Sequence, residues 1–122
     1  MQKFEKVVVL GDFNIAPADG DVYDPVSWHE KILCSSAERE ALGRILDLGL
    51  ADTFRLFEQQ EGTWSWWDYR MNAFRRNMGL RIDLILASKL LQESCTACSV
   101  DKTPRRLERP SDHAPVIAEF DL

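Results

Sequence analysis

Three short apolar runs in this chain end at, or enclose, a polar group, and that repeated pattern limits its folds more than any other feature. Lys6-Val7-Val8-Val9-Leu10 runs into Gly11-Asp12-Phe13-Asn14, Ile82-Asp83-Leu84-Ile85-Leu86-Ala87-Ser88 carries an aspartate inside it, and residues 114–120 come directly after Ser111-Asp112-His113. A β-branched run stopped by glycine is typical of a strand buried on both faces that delivers the next few residues to a sheet edge. A fold that brings such strand ends together gathers carboxylate, amide and imidazole groups at one place.

Other segments supply the helical part. Residues 15–33 carry Pro17, Gly20 and Pro25 among aspartates and read as an ordered loop with one helical turn near Ser27-Trp28-His29-Glu30. Ser35 and Glu38, three apart, have the capping-box spacing that opens a helix. Leu42, Ile45, Leu46 and Leu48 give that helix an apolar face, and Gly49 stops it. From Asp52 onward extended pieces dominate: residues 53–56, 63–67, 82–87, 95–100 and 114–120. There is no internal repeat, low-complexity tract or linker, so 122 residues with 45% apolar content predict one domain with a real core.

Composition narrows the class further. The mixed-charge opening, Met1-Gln2-Lys3-Phe4-Glu5-Lys6, is not a signal peptide, and no apolar run approaches the roughly 20 residues of a membrane helix. A cytoplasmic protein with no membrane partner is expected. A formal charge of −5 argues against a generic nucleic-acid coat, although an acidic catalytic cluster can coexist with a local basic surface. Cys95 and Cys98, three apart in an extended segment, point to opposite faces and make a poor chelate, so these and Cys34 read as reduced thiols.

Each candidate for chemistry has a plainer structural reading beside it. Asp12 and Asn14 fit an Asx-turn closing a strand as well as they fit a reaction site. Asp83, bracketed by Ile82, Leu84, Ile85 and Leu86, is harder to dismiss, because a carboxylate in an apolar strand is costly unless a donor or a metal meets it. Histidine is the natural partner, and His113, locked between Asp112 and Ala114-Pro115, suits the role better than His29 on its loop. Asn77 adds an amide able to donate to a phosphate oxygen. Arg70, Arg75, Arg76 and Arg81 occupy a stretch free of acidic residues beside Trp64, Trp66, Trp67, Tyr69 and Phe74. Cations interleaved with aromatics suit a polyphosphate with stackable bases, or else a core of tryptophans under a solvated loop. Lys102, Arg105, Arg106 and Arg109 form a second basic group that could hold a phosphate backbone. Strand ends carrying such groups are what a metal-assisted phosphodiesterase needs.

The chain resembles the C-terminal half of bacterial exodeoxyribonuclease III, within the exonuclease/endonuclease/phosphatase superfamily. The resemblance runs nearly end to end, through Gly11-Asp12-Phe13-Asn14-Ile15-Ala16-Pro17, Asp21-Val22-Tyr23-Asp24-Pro25, Glu38-Arg39-Glu40, Leu48-Gly49-Leu50-Ala51-Asp52-Thr53-Phe54-Arg55, Trp66-Trp67-Asp68-Tyr69-Arg70, Asn77-Met78-Gly79-Leu80-Arg81-Ile82-Asp83 and Pro110-Ser111-Asp112-His113-Ala114-Pro115.

That resemblance implies a DNase I-like, four-layered α/β sandwich, of which residues 1–122 would supply one half: a mixed β-sheet covered by helices. It implies a 3′-to-5′ exonuclease and abasic-site endonuclease of base excision repair, acting on double-stranded DNA with magnesium or manganese. Asp12 would orient or deprotonate the attacking water, Asn14 would hold the scissile phosphate, and His113 supported by Asp83 would stabilise the transition state. Asp112, with Asp12, would belong to the metal shell. Trp66, Leu80 and Ile82 would line a pocket for a baseless sugar, with Asn77, Arg70 and Arg81 as further DNA contacts. Family members carry roughly as many residues again ahead of this region, including a metal-binding asparagine and glutamate and a phosphate-contacting tyrosine. The isolated chain is therefore expected to be incomplete or weakly active and to form a homodimer through the face the other half would cover. Two alternatives are a non-catalytic half-domain that binds DNA, and a relative hydrolysing RNA, an inositol phosphate or a lipid head group.

Overall fold

The computed structural model describes residues 5–122, so the opening residues 1–4 of the mixed-charge segment lie outside it. In chain order the elements are β1 (Val8–Asp12), α1 (Pro25–Trp28), α2 (Ser36–Leu46), β2 (Leu50–Asp52), β3 (Trp66–Trp67), β4 (Gly79–Leu80), β5 (Asp83–Ser88), α3 (Lys89–Ser94), β6 (Cys95–Val100) and β7 (Val116–Phe120). Strand β5 lies between β1 and β2, β3 pairs with β4, and β6 pairs with β7. The α/β class is as expected. Where the resemblance implies a mixed sheet, every pairing between described strands is antiparallel.

The period of two along β5 divides core from site. Leu84 and Leu86 turn to one face, where they join Leu42 of α2 and Leu50 of β2 in a buried cluster edged by Phe13, Ile15, Ile45 and Leu46. Full burial of such a leucine contributes about 1.5–3 kcal/mol. Asp83 and Ile85, two apart, take the opposite face. Directly opposed residues of an antiparallel pair share a face, so the register Asp12↔Asp83 and Leu10↔Ile85 puts Asp12 beside Asp83.

Helix α2 begins as its sequence requires. The Ser35 hydroxyl accepts from the Glu38 N–H, and the Glu38 carboxylate accepts from the Ser35 N–H. Gly49, at φ 102°, turns the chain from the helix into β2. The expected apolar face stops at Leu46, since Leu48 lies in the turn and is exposed. The loop helix forms at Pro25–Trp28, and residues 53–56 make a 3-10 turn rather than an extended piece. The three cysteines are free thiols, and a register shift falls between Cys95 and Ala97. No helix among the described residues is long and apolar enough to cross a membrane.

Two expectations are corrected by burial. Strand β1 is exposed along its whole length, with Leu10 67% accessible, because only β5 pairs with it and no described element covers its outer side. Arg81 is 1% accessible and does not reach a DNA-facing surface. Its Nε donates to Asp21 at 2.7 Å, its Nη1 to Asp52 at 3.1 Å, and its guanidinium stacks 4.4 Å from the Phe54 ring. Arg55 also pairs with Asp21. These contacts tie the residue before Ile82-Asp83 to the loop after β1 and to the end of β2.

Because removing one partner strands a buried charge, Arg81→Ala is expected to lower the unfolding free energy by about 3–5 kcal/mol. Arg70→Ala, on a solvent-exposed pair with Asp68, should leave it nearly unchanged. Urea unfolding of the two variants checks both values.

Candidate active site

The site forms where the ends of β1 and β5 meet the loop before β7. Asp83 lies at the head of β5, and its Oδ2 is 2.8 Å from His113 Nδ1. The other ring nitrogen, Nε2, is 3.6 Å from Asp12 Oδ2 and 3.8 Å from Asp112 Oδ1. A carboxylate on Nδ1 selects the tautomer with the proton there and orients the ring. Around them Leu10, Ile85, Pro104, Ser111, Pro115 and Val116 line an open cleft of about 400 Å³.

The Asx-turn reading of Asp12 holds, and it leaves one carboxylate oxygen facing the cleft. Its Oδ1 accepts the Asn14 N–H at 2.9 Å, closing an Asx-turn with Asn14 at φ 53°, and that leaves Oδ2 for the histidine side. Asn14 itself is exposed next to Asp12. Asp112 is oriented by Trp66, whose indole Nε1 donates to its Oδ2 at 3.0 Å. Asp83 is half-buried, and burial pushes its carboxyl above the ordinary 3.8, while hydrogen bonds from His113 and Ser65 pull the other way without cancelling the shift.

Acidic and imidazole ligand atoms of Asp12, Asp83 and His113 come within 4.8 Å of one another. The Asp83 oxygen is already committed to His113 Nδ1, so within the trio only Asp83 and His113 are hydrogen-bonded, with Asp12 Oδ2 standing 3.6 Å from the ring. One carboxylate oxygen of Asp12 and one of Asp112 accept no hydrogen bond from the described residues.

Several other expected site residues lie elsewhere. Leu80 and Ile82 are 0% and 2% accessible and pack with Ala16, Val22 and Cys34 in a core cluster, so they present no pocket wall; Trp66 alone of that trio keeps an accessible side. That side opens into a separate cavity of about 340 Å³ with Tyr23, Trp28, Arg70 and Met71. The Asn77 amide ties its loop back to β3 and the segment before it, donating to Gly62 O and accepting from Trp67 Nε1. Trp64 and Trp67 are buried, and the hairpin needs Gly79 because a Cβ there would lie 2.6 Å from the Trp64 ring. Arg105 is also buried, stacked on Tyr69 and Phe74. Arg70, Arg75, Arg76, Lys102, Arg106 and Arg109 remain exposed, and His29 is exposed on its loop.

Residues 5–113 match the model of the endonuclease/exonuclease/phosphatase family. The chain belongs to that family. Within the endonuclease/exonuclease/phosphatase family, it is 40% identical to exodeoxyribonuclease III of Haemophilus influenzae over 97% of this chain and 47% of that protein. A 3′ phosphatase, NExo, from Neisseria, solved bound to a product DNA hairpin, superposes with a TM-score of 0.96 at 52% identity, covering 99% of this chain and 47% of the other. An AP endonuclease from Archaeoglobus fulgidus superposes with a TM-score of 0.90 at 38% identity, over 96% and 46% respectively. The fold is thus the DNase I-like α/β fold of these enzymes. The chain spans about half the length of the curated relatives it matches.

The raised pKa of Asp83 fixes a pH dependence of stability. A folded-state pKa above the unfolded 3.8 means that the protonated form is the favoured one, so the stabilising contribution is complete below about pH 3.8 and is lost as pH rises through the folded value. Asp83→Asn keeps an acceptor for His113 without the charge. Its melting temperature is expected to exceed that of the parent at neutral pH, and the gap should close below about pH 3.8. Melting curves across pH 3–8 check this.

Proposed function

We propose that this chain carries the water-activating and charge-stabilising half of a metal-dependent DNA phosphodiesterase, a 3′-to-5′ exonuclease and abasic-site endonuclease acting in DNA repair. The observation that carries the reading is His113, held at Nδ1 by Asp83, with Nε2 facing the carboxylates of Asp12 and Asp112.

In-line attack on a phosphodiester requires an activated water and donors fixed around the oxygens that gain charge. Asp12 Oδ2 is the acceptor left for a proton from that water, since Oδ1 takes the Asn14 N–H. His113, its Nδ1–H directed to Asp83, donates from Nε2 to a phosphoryl oxygen when the ring carries both protons. Asn14 offers an exposed amide beside Asp12 for another phosphate oxygen. The open oxygens of Asp12 and Asp112 are hard donors of the kind that magnesium or manganese takes while keeping most of its waters. A divalent ion there supplies neutralisation of phosphate charge. The exposed cations Arg70, Arg75 and Arg76 on one loop and Lys102, Arg106 and Arg109 on another suit a duplex backbone.

The test is incision of a duplex oligonucleotide containing one abasic-site analogue, with magnesium and then with EDTA, beside an Asp12→Asn, His113→Ala control. Magnesium-dependent incision absent from the control is the expected result. Retained DNA binding without incision would make the chain a binding half-domain instead. Where incision is observed, Asp83→Ala should reduce kcat by about 10²–10³-fold while leaving DNA affinity nearly unchanged.

The exposed strand also bears on assembly. Leu10, 67% accessible, and Val8, two residues before it on the same face, leave apolar surface beside the cleft, and uncovered apolar surface of this kind favours association. A second copy is the proposed cover, so light scattering at micromolar concentration is expected to give about twice the 14.0 kDa chain mass. A monomeric mass removes the dimer.

A further inference from the structure

Ser65 has no marked role in its sequence context among Thr63, Trp64, Trp66 and Trp67, yet it is fully buried and bonds to the head of β5 and to the loop before β7, two of the three segments that build the site. Its Oγ accepts the backbone N–H of Ile82 at 3.0 Å and of Asp83 at 3.1 Å. Its own N–H donates to Leu80 O at 3.0 Å, and its carbonyl accepts the Ala114 N–H at 2.8 Å. The next two residues continue the clamp: Trp66 bridges His113, and the Trp67 N–H donates to Asp112 O at 3.1 Å. Residues 112 and 114, on either side of His113, are therefore both hung on residues 65–67, and Asp83 hangs on the hydroxyl of the same segment.

A hydroxyl has two lone pairs and one proton. Both accepting positions of Ser65 Oγ are taken by backbone N–H groups at the head of β5, which leaves the proton to be donated. The Asp83 N–H that Oγ accepts belongs to the residue whose carboxylate holds His113. An alanine would leave the Ile82 and Asp83 N–H groups without their acceptor and loosen the backbone that carries the Asp83 carboxylate.

We infer that Ser65 is a positioning residue for the proposed reaction, its hydroxyl fixing the backbone at Ile82 and Asp83 so that the Asp83 carboxylate in turn holds His113 at Nδ1. This rests on the phosphodiesterase reading but concerns geometry that exists in the chain whether or not it cleaves DNA. Supporting groups of this kind, one step removed from the reacting atoms, change activity by about 10–100-fold when lost. Threonine keeps the hydroxyl, whereas cysteine keeps the size with much weaker hydrogen bonding.

The test compares Ser65→Ala, Ser65→Cys and Ser65→Thr in the 122-residue chain, alone and on an Asp83→Asn background. The first readout is the His113 Nδ1 proton in the proton NMR spectrum, a direct report of the Asp83 hydrogen bond that needs no catalysis. Exchange of that proton with solvent is expected to accelerate by at least about tenfold in the alanine and cysteine variants and to stay at the parent rate with threonine. The second readout is incision of the abasic duplex, with kcat reduced by about 10–100-fold, KM unchanged, and no further loss on the Asp83→Asn background. Parent-like exchange in folded Ser65→Ala, or an equal kcat loss with and without Asp83, overturns the inference. If Ser65→Ala does not fold, the cysteine variant decides by the same criteria. If the parent does not incise DNA, the phosphodiesterase reading of the isolated chain fails while the NMR comparison still decides the role of Ser65.

Discussion

The pairing of Asp12 with Asp83 across β1 and β5 is the constraint on which the remaining site geometry depends. Both residues end apolar strand segments, and both share a face only in this register. A slip of one residue would send Asp12 toward the α2 side and Gly11 or Phe13 toward the cleft. The register is held from the other face of the same strand, where Leu84 and Leu86 are buried against Leu42 and Leu50. Hydrophobic packing on one side of β5 therefore sets the placement of carboxylates on the other.

Aspartates serve two opposed purposes here, separated by whether a cation meets them. Asp21 and Asp52 surround Arg81 in the interior, where charge, hydrogen bonds and a phenyl ring are all satisfied. Asp12, Asp83 and Asp112 gather around a single imidazole, with no lysine or arginine bridging to them among the described ion pairs. The first set fastens the chain just before β5. The second leaves negative potential and open oxygens at the cleft, a condition suited to a divalent cation and unsuited to a bare phosphate. Net charge could not distinguish the two sets, since every member counts equally in it.

Residues whose role depends on near neighbours in the chain were legible. The Ser35–Glu38 capping box, the Gly49 stop and the Asx-turn at Asp12 are local, and each appears where the spacing places it. The pairing of Asp83 with His113 was also legible, because a carboxylate in an apolar strand demands a partner and few candidates existed. Arg81, Leu80 and Ile82 were misplaced for the opposite reason: burial depends on what folds over a residue from far along the chain. Asp21 covers Arg81 from 60 positions away. Asn77 looked available until Trp67 and Gly62 claimed its amide. Ser65 gave no signal, since a serine between tryptophans looks like any small residue in a strand and its significance lies in which N–H groups end within reach.

The aromatic cluster shows how scaffold and site divide one short segment. Trp64 and Trp67 are interior, with the Phe74 ring edge-on to Trp67 at 5.0 Å, while Trp66 between them turns its indole N–H to Asp112. Residues 64–67 thus fill the core with some side chains and orient the site with another. The strand carrying Asp12 has no comparable backing, since β1 is exposed on the side away from β5 and remains open to water near Asp12. Electrostatic stabilisation weakens in a solvated site, because water raises the effective dielectric around the charges. Any cover placed over Leu10 would bury apolar surface and strengthen the field around His113 through the same contact, so burial and the strength of the site's electrostatics are coupled at β1.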